Sequence, residues 1–318
     1  MDLSIIIINW NSCDYVRACL SSIFANPPRF LFEVIVLDSA SYDGCKEMIE
    51  RQFPQVKYVQ CEENVGFGRA NNLAVQSSTG HCLLFLNPDT EVIGTAVEVL
   101  FDHQRGLTRA GAVGCTLLNS DRTLQTSCIQ SFPTVLNQLL DSEFLRKRFP
   151  SSPLWGMGPL YSGQTTPAEV EVISGACIMM QREVFDRIGQ FTPDYFMYTE
   201  DIDLCFKARR TGYINYYVPG PAVVHHGNGS VSRAQTNFAV VMGVESLWRF
   251  LKKYRGTLYA LLYRNGIVLA AVGRLLLLSS RRLFPVSSDS SKPDSAFAKW
   301  SAILRWGTGL ERWAGKYR

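Results

Sequence analysis

The sequence predicts an α/β fold: a mixed, mainly parallel sheet flanked by helices, with a helical C-terminal extension. Three observations carry this reading. From Leu3 to Leu118 a short apolar, β-branched run repeatedly precedes a polar or glycine-containing break and then a helix-like stretch, which is the rhythm of parallel βα units. The residues directly after each run are unusually polar. Charge also divides along the chain: residues 246–318 hold 14 Lys and Arg against 3 Asp and Glu, a net of +11, and the whole chain's 32 and 28 leave 18 against 25, a net of −7, for residues 1–245. An acidic body of residues 1–245 therefore carries a basic extension, 246–318.

Taken in order, strands are expected at Leu3 to Ile8, Phe32 to Leu37, Val56 to Cys61, Cys82 to Leu86 and Ala112 to Leu118. Helices are expected between them at about Asp14 to Ala25, Asp43 to Phe53, Gly68 to Ser77 and Thr95 to Arg105. From Arg122 to Thr166 the pattern dissolves into Ser, Pro and Gly with aromatic interruptions, and a loop of that length in a compact body reads as a lid or binding segment. Order resumes with strands at Val170 to Ile173 and Ala176 to Met180, a short helix near Arg182 to Ile188, a helix from Glu200 to Arg210, and strands at Ile214 to Val218 and Ala222 to Val224.

The 318 residues are 47% hydrophobic and 19% charged, which excludes a disordered or fibrous chain. The nine cysteines are scattered, with no Cys-x-x-Cys pair or zinc-type cluster, and read as reduced cytosolic thiols. Leu3 to Ile8 lacks a preceding basic segment and is too short for a signal sequence or membrane span. A cytoplasmic location is expected.

In an open α/β sheet, ligands bind at the carboxyl ends of the strands. Asn9-Trp10-Asn11 follows the first, Asp38-Ser39-Ala40-Ser41 the second, Glu62 through Gly68 the third, and Asn87-Pro88-Asp89-Thr90 the fourth. Asp38 is either a turn or cap residue or an acceptor for a nucleobase or hydroxyl. Gly66-Phe67-Gly68 before a helix, with Arg69 alongside, suits a phosphate through backbone N–H groups and a cation; Asn71 stands where a dinucleotide fingerprint requires its third glycine, so hydride transfer is disfavoured. Asp89 is a helix cap or a ligand for Mg²⁺ or Mn²⁺. Glu200, Asp201 and Asp203 at a helix start either oppose the helix dipole or supply a general base between apolar walls. His225 and His226, followed by glycines, offer a structural imidazole or a second metal ligand.

Together these segments resemble the family 2 inverting glycosyltransferases with the GT-A fold, in particular bacterial rhamnosyltransferase-like members. The resemblance rests on Ser4 through Ser12, Glu33 through Asp38 with Ser41 and Asp43-Gly44, Asn64 through Asn72, and Leu84 through Thr90. It continues through Ser174 through Cys177, Phe196-Met197-Tyr198 with Glu200 through Cys205, and His225 through Ser230, in family order over about three quarters of the chain. It implies a GT-A-like sheet, a nucleoside-diphosphate sugar donor, and a divalent metal, Mg²⁺ or Mn²⁺, held by Asp89 and His225. Asp201 matches the catalytic base, with Glu200 beside it; Asp38 matches a base contact, and Arg69 and Asn71 are implied to face the donor, with Asn9, Asn11 and Gly66 in the same strand-end loops. Asn87 stands where a fuller acidic motif has Asp. The implied acceptor is a glycan or polyprenyl-diphosphate sugar in cell-surface polysaccharide synthesis, with dTDP-rhamnose as the favoured donor. A sugar nucleotidyltransferase would share the sheet and metal, and a silent sugar-nucleotide or polysaccharide binding module is the alternative of another class.

The extension contains an apolar segment, Leu258 to Leu278, broken by Arg264, Asn265 and Arg274. Each Arg costs about 2.5 to 3.5 kcal/mol at a membrane centre while each large apolar residue returns only ~0.3 to 0.6, so spanning is not favoured. A helix lying in the interface would keep its Arg heads in water. The flanking Arg249, Lys252, Lys253, Arg255, Arg281 and Arg282 would be drawn to an anionic membrane surface, as would a second segment, Phe297 to Trp313, with three tryptophans. A peripheral position on the inner face of the cytoplasmic membrane is therefore expected, against an ordinary helix packed on the body; no nucleic-acid partner is expected.

Overall fold

The apolar runs of the sequence lie side by side as strands of one sheet. The computed structural model describes residues 1–227, 236–283 and 292–317. Its first part alternates β1 (Leu3–Asn9), α1 (Cys13–Ala25), β2 (Phe32–Ser39), α2 (Cys45–Gln52), β3 (Lys57–Cys61), α3 (Phe67–Gln76), β4 (Cys82–Leu86), β5 (Thr90–Val92), α4 (Ala96–Gly106) and β6 (Ala110–Leu118). There follow β7 (Ile129–Gln130), α5 (Val135–Leu140), α6 (Glu143–Arg148), α7 (Gly158–Tyr161), β8 (Ala168–Val170), β9 (Val172–Ile173) and β10 (Cys177–Gln181). Last come α8 (Arg182–Arg187), α9 (Glu200–Arg210), β11 (Ile214–His225), α10 (Thr236–Arg255), α11 (Thr257–Leu283) and α12 (Lys292–Gly307).

Two compact units result. The first holds residues 1–132, 147–193 and 200–227; the second holds 133–146, 194–199 and the described residues from 236 onward. The change in charge at 245/246 falls inside α10 and marks no break in the chain.

In the first unit the sheet runs in the order β3-β2-β1-β4-β10-β6-β11-β5, with β8 also paired to β11. β3, β2, β1 and β4 are parallel neighbours, whereas β10 enters antiparallel between β4 and β6. All seven residues of β1 are buried, as expected for a parallel strand covered on both faces. The sheet demands close approaches. A methyl group at Gly80 would stand 2.4 Å from the Ser4 backbone nitrogen, a contact no side chain tolerates beside β1.

Where the structure departs from the sequence reading, long-range pairing decides. The stretch 170–173 divides, because β8 pairs with β11 and β9 with β7 in a separate two-stranded sheet. The two strands expected at 214–218 and 222–224 are one, β11, with a register shift between Val218 and Ala222 at Pro219-Gly220-Pro221. The segment 122–166, expected as a loop, contains β7 and the short helices α5, α6 and α7.

The second unit is helical. Gly256, at φ 86°, turns the chain between α10 and α11, a conformation glycine adopts without strain. Buried Trp306 on α12 donates its Nε1–H to Glu245 Oε2 on α10 at 2.9 Å, and Glu245 Oε1 accepts from Arg249 Nε at 2.8 Å. Arg264 and Arg274 do not hold their heads toward solvent as an interfacial helix would. Arg264 donates to the Gly307 and Trp306 carbonyls at 3.0 and 3.3 Å, and the Arg274 guanidinium lies 4.1 Å over the Trp300 ring. They are fastened where α11 meets α12. The opposite side of α11 leaves Leu258, Leu261, Leu262, Leu269, Leu276 and Leu277 exposed, and residues Thr257–Ser280 are apolar and long enough to cross a membrane by length and composition. The side chains of Arg281 and Arg282 lie outside the described residues.

Candidate active site

Topology gathers the polar strand-end residues at one edge of the sheet. The parallel strands β1, β2 and β4 end there at Asn9, Ser39 and Leu86. Antiparallel β10 begins there, since Cys177 pairs with Leu86, and antiparallel pairing of β11 with β5 sets His225 opposite Thr90, the residue after Asp89.

A continuous chain of hydrogen bonds and ion-pair contacts joins the two groups the sequence singles out. Asp201, on the first turn of α9, accepts from the Gly175 N–H through Oδ2 at 2.8 Å and from the Ile202 N–H through Oδ1 at 2.8 Å. One residue on, the Ala176 carbonyl accepts from the Asn87 N–H at 3.0 Å. The Asn87 amide lies 3.3 Å from His225 Nε2, and Asp89 Oδ1 lies 3.4 Å from the same nitrogen. Burial pushes the Asp201 carboxyl above the ordinary carboxylate range, and the two backbone donors only partly offset it. A carboxylate so raised is a stronger base.

The tautomer of His225 follows from its other nitrogen. Gln125 turns its amide nitrogen to Asn119 Oδ1 and the His225 carbonyl, at 3.1 and 3.3 Å, so its oxygen faces His225 Nδ1 at 2.8 Å. Nδ1 therefore carries a proton, and Nε2 is the nitrogen that faces the Asn87 side-chain amide and the Asp89 carboxylate. Imidazole nitrogen with carboxylate oxygen is a fitting ligand pair for Mn²⁺ or Mg²⁺. The outer partner Gln125 is the kind of group that orients a ligating histidine. It was not legible in the sequence, because it comes from an irregular segment a hundred residues upstream of His225.

His226 is occupied otherwise. Its Nε2 meets Glu91 Oε1 at 2.9 Å and its Nδ1 meets Ser120 Oγ at 2.8 Å. A second cluster of ligand-type atoms, Cys13, Asp43 and Cys45, is a poorer cation site. Burial raises both thiols, keeping them protonated, and Asp43 already accepts from the Cys13 and Cys45 N–H groups at 2.9 and 3.3 Å.

Several residues expected to face a donor are instead enclosed. Asp38, 0% exposed, accepts from Asn9 Nδ2 at 2.6 Å, the Ser41 N–H at 2.7 Å and Gln60 Nε2 at 3.2 Å. These three donors place Asp38 inside the turn that follows β2. Asn9, also 0% exposed, bridges Asp38 and Asp43 and accepts from the Ser12 N–H. Asn71 is buried and donates from Nδ2 to the Phe67 carbonyl at 2.9 Å, a local helix contact. Asn11 remains exposed at φ 52°, and Ala40 and Tyr42 are also left-handed, at φ 60° and 51°. Such strained non-glycine backbone collects where surrounding structure imposes a functional loop shape.

Gly66 caps α3 at φ 82° and ψ 165°, a region essentially closed to side chains. Arg69, half-buried on the first turn of α3, donates through Nε to the Pro193 carbonyl at 3.2 Å. A methyl group at Gly68 would stand 3.3 Å from Phe191 Cβ and 3.5 Å from Glu200 Cγ, so α3 closes on the buried Glu200. Asp203 is enclosed and structural: Thr192 Oγ1 donates to it at 2.6 Å and Lys207 Nζ lies 3.3 Å away. Asn228, Gly229 and Ser230 lie outside the described residues.

Residues 4–189 match the model of glycosyl transferase family 2. The N-acetylglucosaminyl-diphospho-decaprenol L-rhamnosyltransferase of Mycobacterium tuberculosis is 24% identical over 248 residues, 73% of this chain and 78% of that protein. The rhamnosyltransferase WbbL of Escherichia coli is 23% identical over 261 residues, 79% of this chain and 93% of that one. Among solved structures, a mannosyltransferase of Pyrobaculum calidifontis in complex with GDP-Man and Mn²⁺ superposes with a TM-score of 0.60 at 18% identity, covering 98% of this chain and 87% of its own. That likeness is one of fold.

Proposed function

Because the chain belongs to glycosyl transferase family 2 and is a glycosyltransferase of GT-A fold, we propose that it is an inverting enzyme transferring rhamnose from dTDP-rhamnose to a lipid-linked sugar acceptor. The observation that carries this reading is the connected path from Asp201 through Gly175, Ala176 and Asn87 to His225 and Asp89. It holds a raised carboxylate and a metal-type donor pair in fixed relation at the strand ends. The choice of rhamnose is supported by the names of both bacterial relatives, and that of a polyprenyl-diphosphate acceptor by the name of the Mycobacterium tuberculosis one.

In this mechanism Asp201 takes the proton from an acceptor hydroxyl as that oxygen forms its bond to the anomeric carbon. The bond from that carbon to the diphosphate oxygen breaks on the opposite face, so configuration inverts. Asp89 and His225 would hold a divalent ion, which when bound offsets charge on the diphosphate. Arg69 and the N-terminal end of α3 add positive potential for the same group. The Gly175 N–H holds the Asp201 carboxylate in place, and Glu200 shapes the wall beside it. The loops braced by Asn9 and Asp38, with exposed Asn11, surround the base.

A membrane-facing position on the cytoplasmic side accompanies this reading, supported by the exposed leucines of α11 and the net +11 of residues 246–318. The test is a panel of nucleotide sugars in Mn²⁺ or Mg²⁺, read by thermal shift. A true donor at a hundred times its Kd adds about 2.7 kcal/mol, and dTDP-rhamnose is expected to be that donor. No stabilisation by any nucleotide sugar would refute the reading.

A further inference from the structure

The helical unit contains a cavity of about 400 Å³ that the sugar-transfer chemistry does not use. Apolar side chains from α10, α11 and α12 wall it, among them Ala239, Val240, Leu247, Ile267 and Ile303. Gly243 leaves it open on one side, where a methyl group would still stand 3.9 Å from Tyr198. At the cavity margin the walls change character. Arg274 and Lys299 lie on the Trp300 ring, at 4.1 and 5.6 Å from its centroid. Asp141, which also lines the cavity, has its carboxylate paired with Arg146 at 2.5 Å and acts on Arg274 through charge alone, while Arg274 donates to the Asp141 backbone carbonyl at 2.9 Å. Lys299 has no carboxylate partner among the described residues.

An apolar cavity bordered by Arg274 and Lys299, with the one acid of its lining, Asp141, already paired with Arg146, is complementary to an amphiphile with an anionic head. We propose that this cavity binds the phosphate-proximal isoprene units of a prenyl phosphate, with Arg274 and Lys299 on the phosphate. Its size falls in the range of small-molecule sites, about 300 to 1,000 Å³, which takes the first units of a polyprenyl chain and not the whole of it. The proposal rests on the reading of the acceptor as lipid-linked and gives that acceptor a place in this chain.

Farnesyl phosphate, below its micelle concentration, is titrated into the 318-residue chain by calorimetry, with farnesol and inorganic phosphate as separate arms. Saturable binding of farnesyl phosphate is expected, about tenfold weaker after Ala239→Phe, which fills the cavity, and about tenfold weaker after Lys299→Glu, an exposed change that leaves folding intact. Absent binding, binding unchanged by both variants, or inorganic phosphate binding equally well overturns the proposal. Nucleotide-sugar stabilisation is measured on the same samples. If donor binding persists without farnesyl phosphate binding, the cavity assignment fails alone; if farnesyl phosphate binds and no donor does, the transferase reading fails alone.

Discussion

Replacing Asp201 with Asn removes the proposed base and leaves a side chain of nearly the same size. General-base catalysis contributes about 10² to 10⁴ in rate, which is roughly 3 to 5 kcal/mol of transition-state stabilisation. The structure adds a second effect that must be separated from the first. Both Asp201 oxygens accept from backbone N–H groups, Gly175 and Ile202, and an Asn has one oxygen for the two. A buried donor left without its acceptor costs about 1 to 3 kcal/mol, so the variant should also melt a few degrees lower. Its pH behaviour supplies a sign. Because burial raises the folded-state pKa of this acid, the folded protein binds more protons than the unfolded chain between the ordinary carboxylate value and the raised one. Stability from this group therefore falls as pH rises through that window. The rate behaves oppositely, rising with pH as Asp201 ionises. In Asp201→Asn the acid limb of kcat/KM should vanish, turnover should drop by at least a hundredfold, and thermal shift with the nucleotide sugar should persist. Turnover within threefold of wild type, or loss of donor binding equal to the loss of rate, would refute the assignment.

Other substitutions separate the roles of neighbouring groups. Gln125→Leu removes the acceptor that fixes the His225 tautomer and should weaken Mn²⁺-dependent donor binding about 10- to 100-fold, measured by calorimetry with and without the ion; an unchanged Mn²⁺ requirement would sink the His225 role. Asp203→Ala removes the enclosed carboxylate between Thr192 and Lys207 and should cost about 3 kcal/mol of stability by urea unfolding. Unlike Asp201→Asn, it should leave the acid limb of the folded fraction's rate profile in place. Gly66→Ala forces a side chain into φ 82°, ψ 165° and should destabilise by about 1 to 3 kcal/mol; a neutral effect on unfolding would show that the cap can relax.

The body of the sheet was legible because parallel strands buried on both faces read as unbroken apolar runs. Leu3 to Ile8 and Cys82 to Leu86 are of this kind, and their polar successors locate the site. What the sequence could not disclose is lateral order. Nothing local to Cys177–Gln181 says that it inserts antiparallel between β4 and β6, yet that insertion brings Gly175 to the carboxyl edge. The register of β11 against β5 likewise sets His225 beside Asp89, whereas His226, identical in type and adjacent in sequence, turns to Glu91. Burial was hidden for the same reason. Asn9, Asp38 and Asn71 sit in motif positions, but pairing across β1 and β2 and one helical back-bond enclose them. In α11, Arg264 and Arg274 look like interruptions of an apolar stripe, and only the contact with α12 discloses that carbonyls and Trp300 receive them.

The central claim is inversion at a single strand-end site, and the anomeric configuration of the product tests it most directly. With dTDP-rhamnose, Mn²⁺ and a lipid-linked sugar acceptor, nuclear magnetic resonance of the product should give an anomeric configuration opposite to that of the donor, with release of nucleoside diphosphate. Retained configuration, or release of pyrophosphate, would contradict the account.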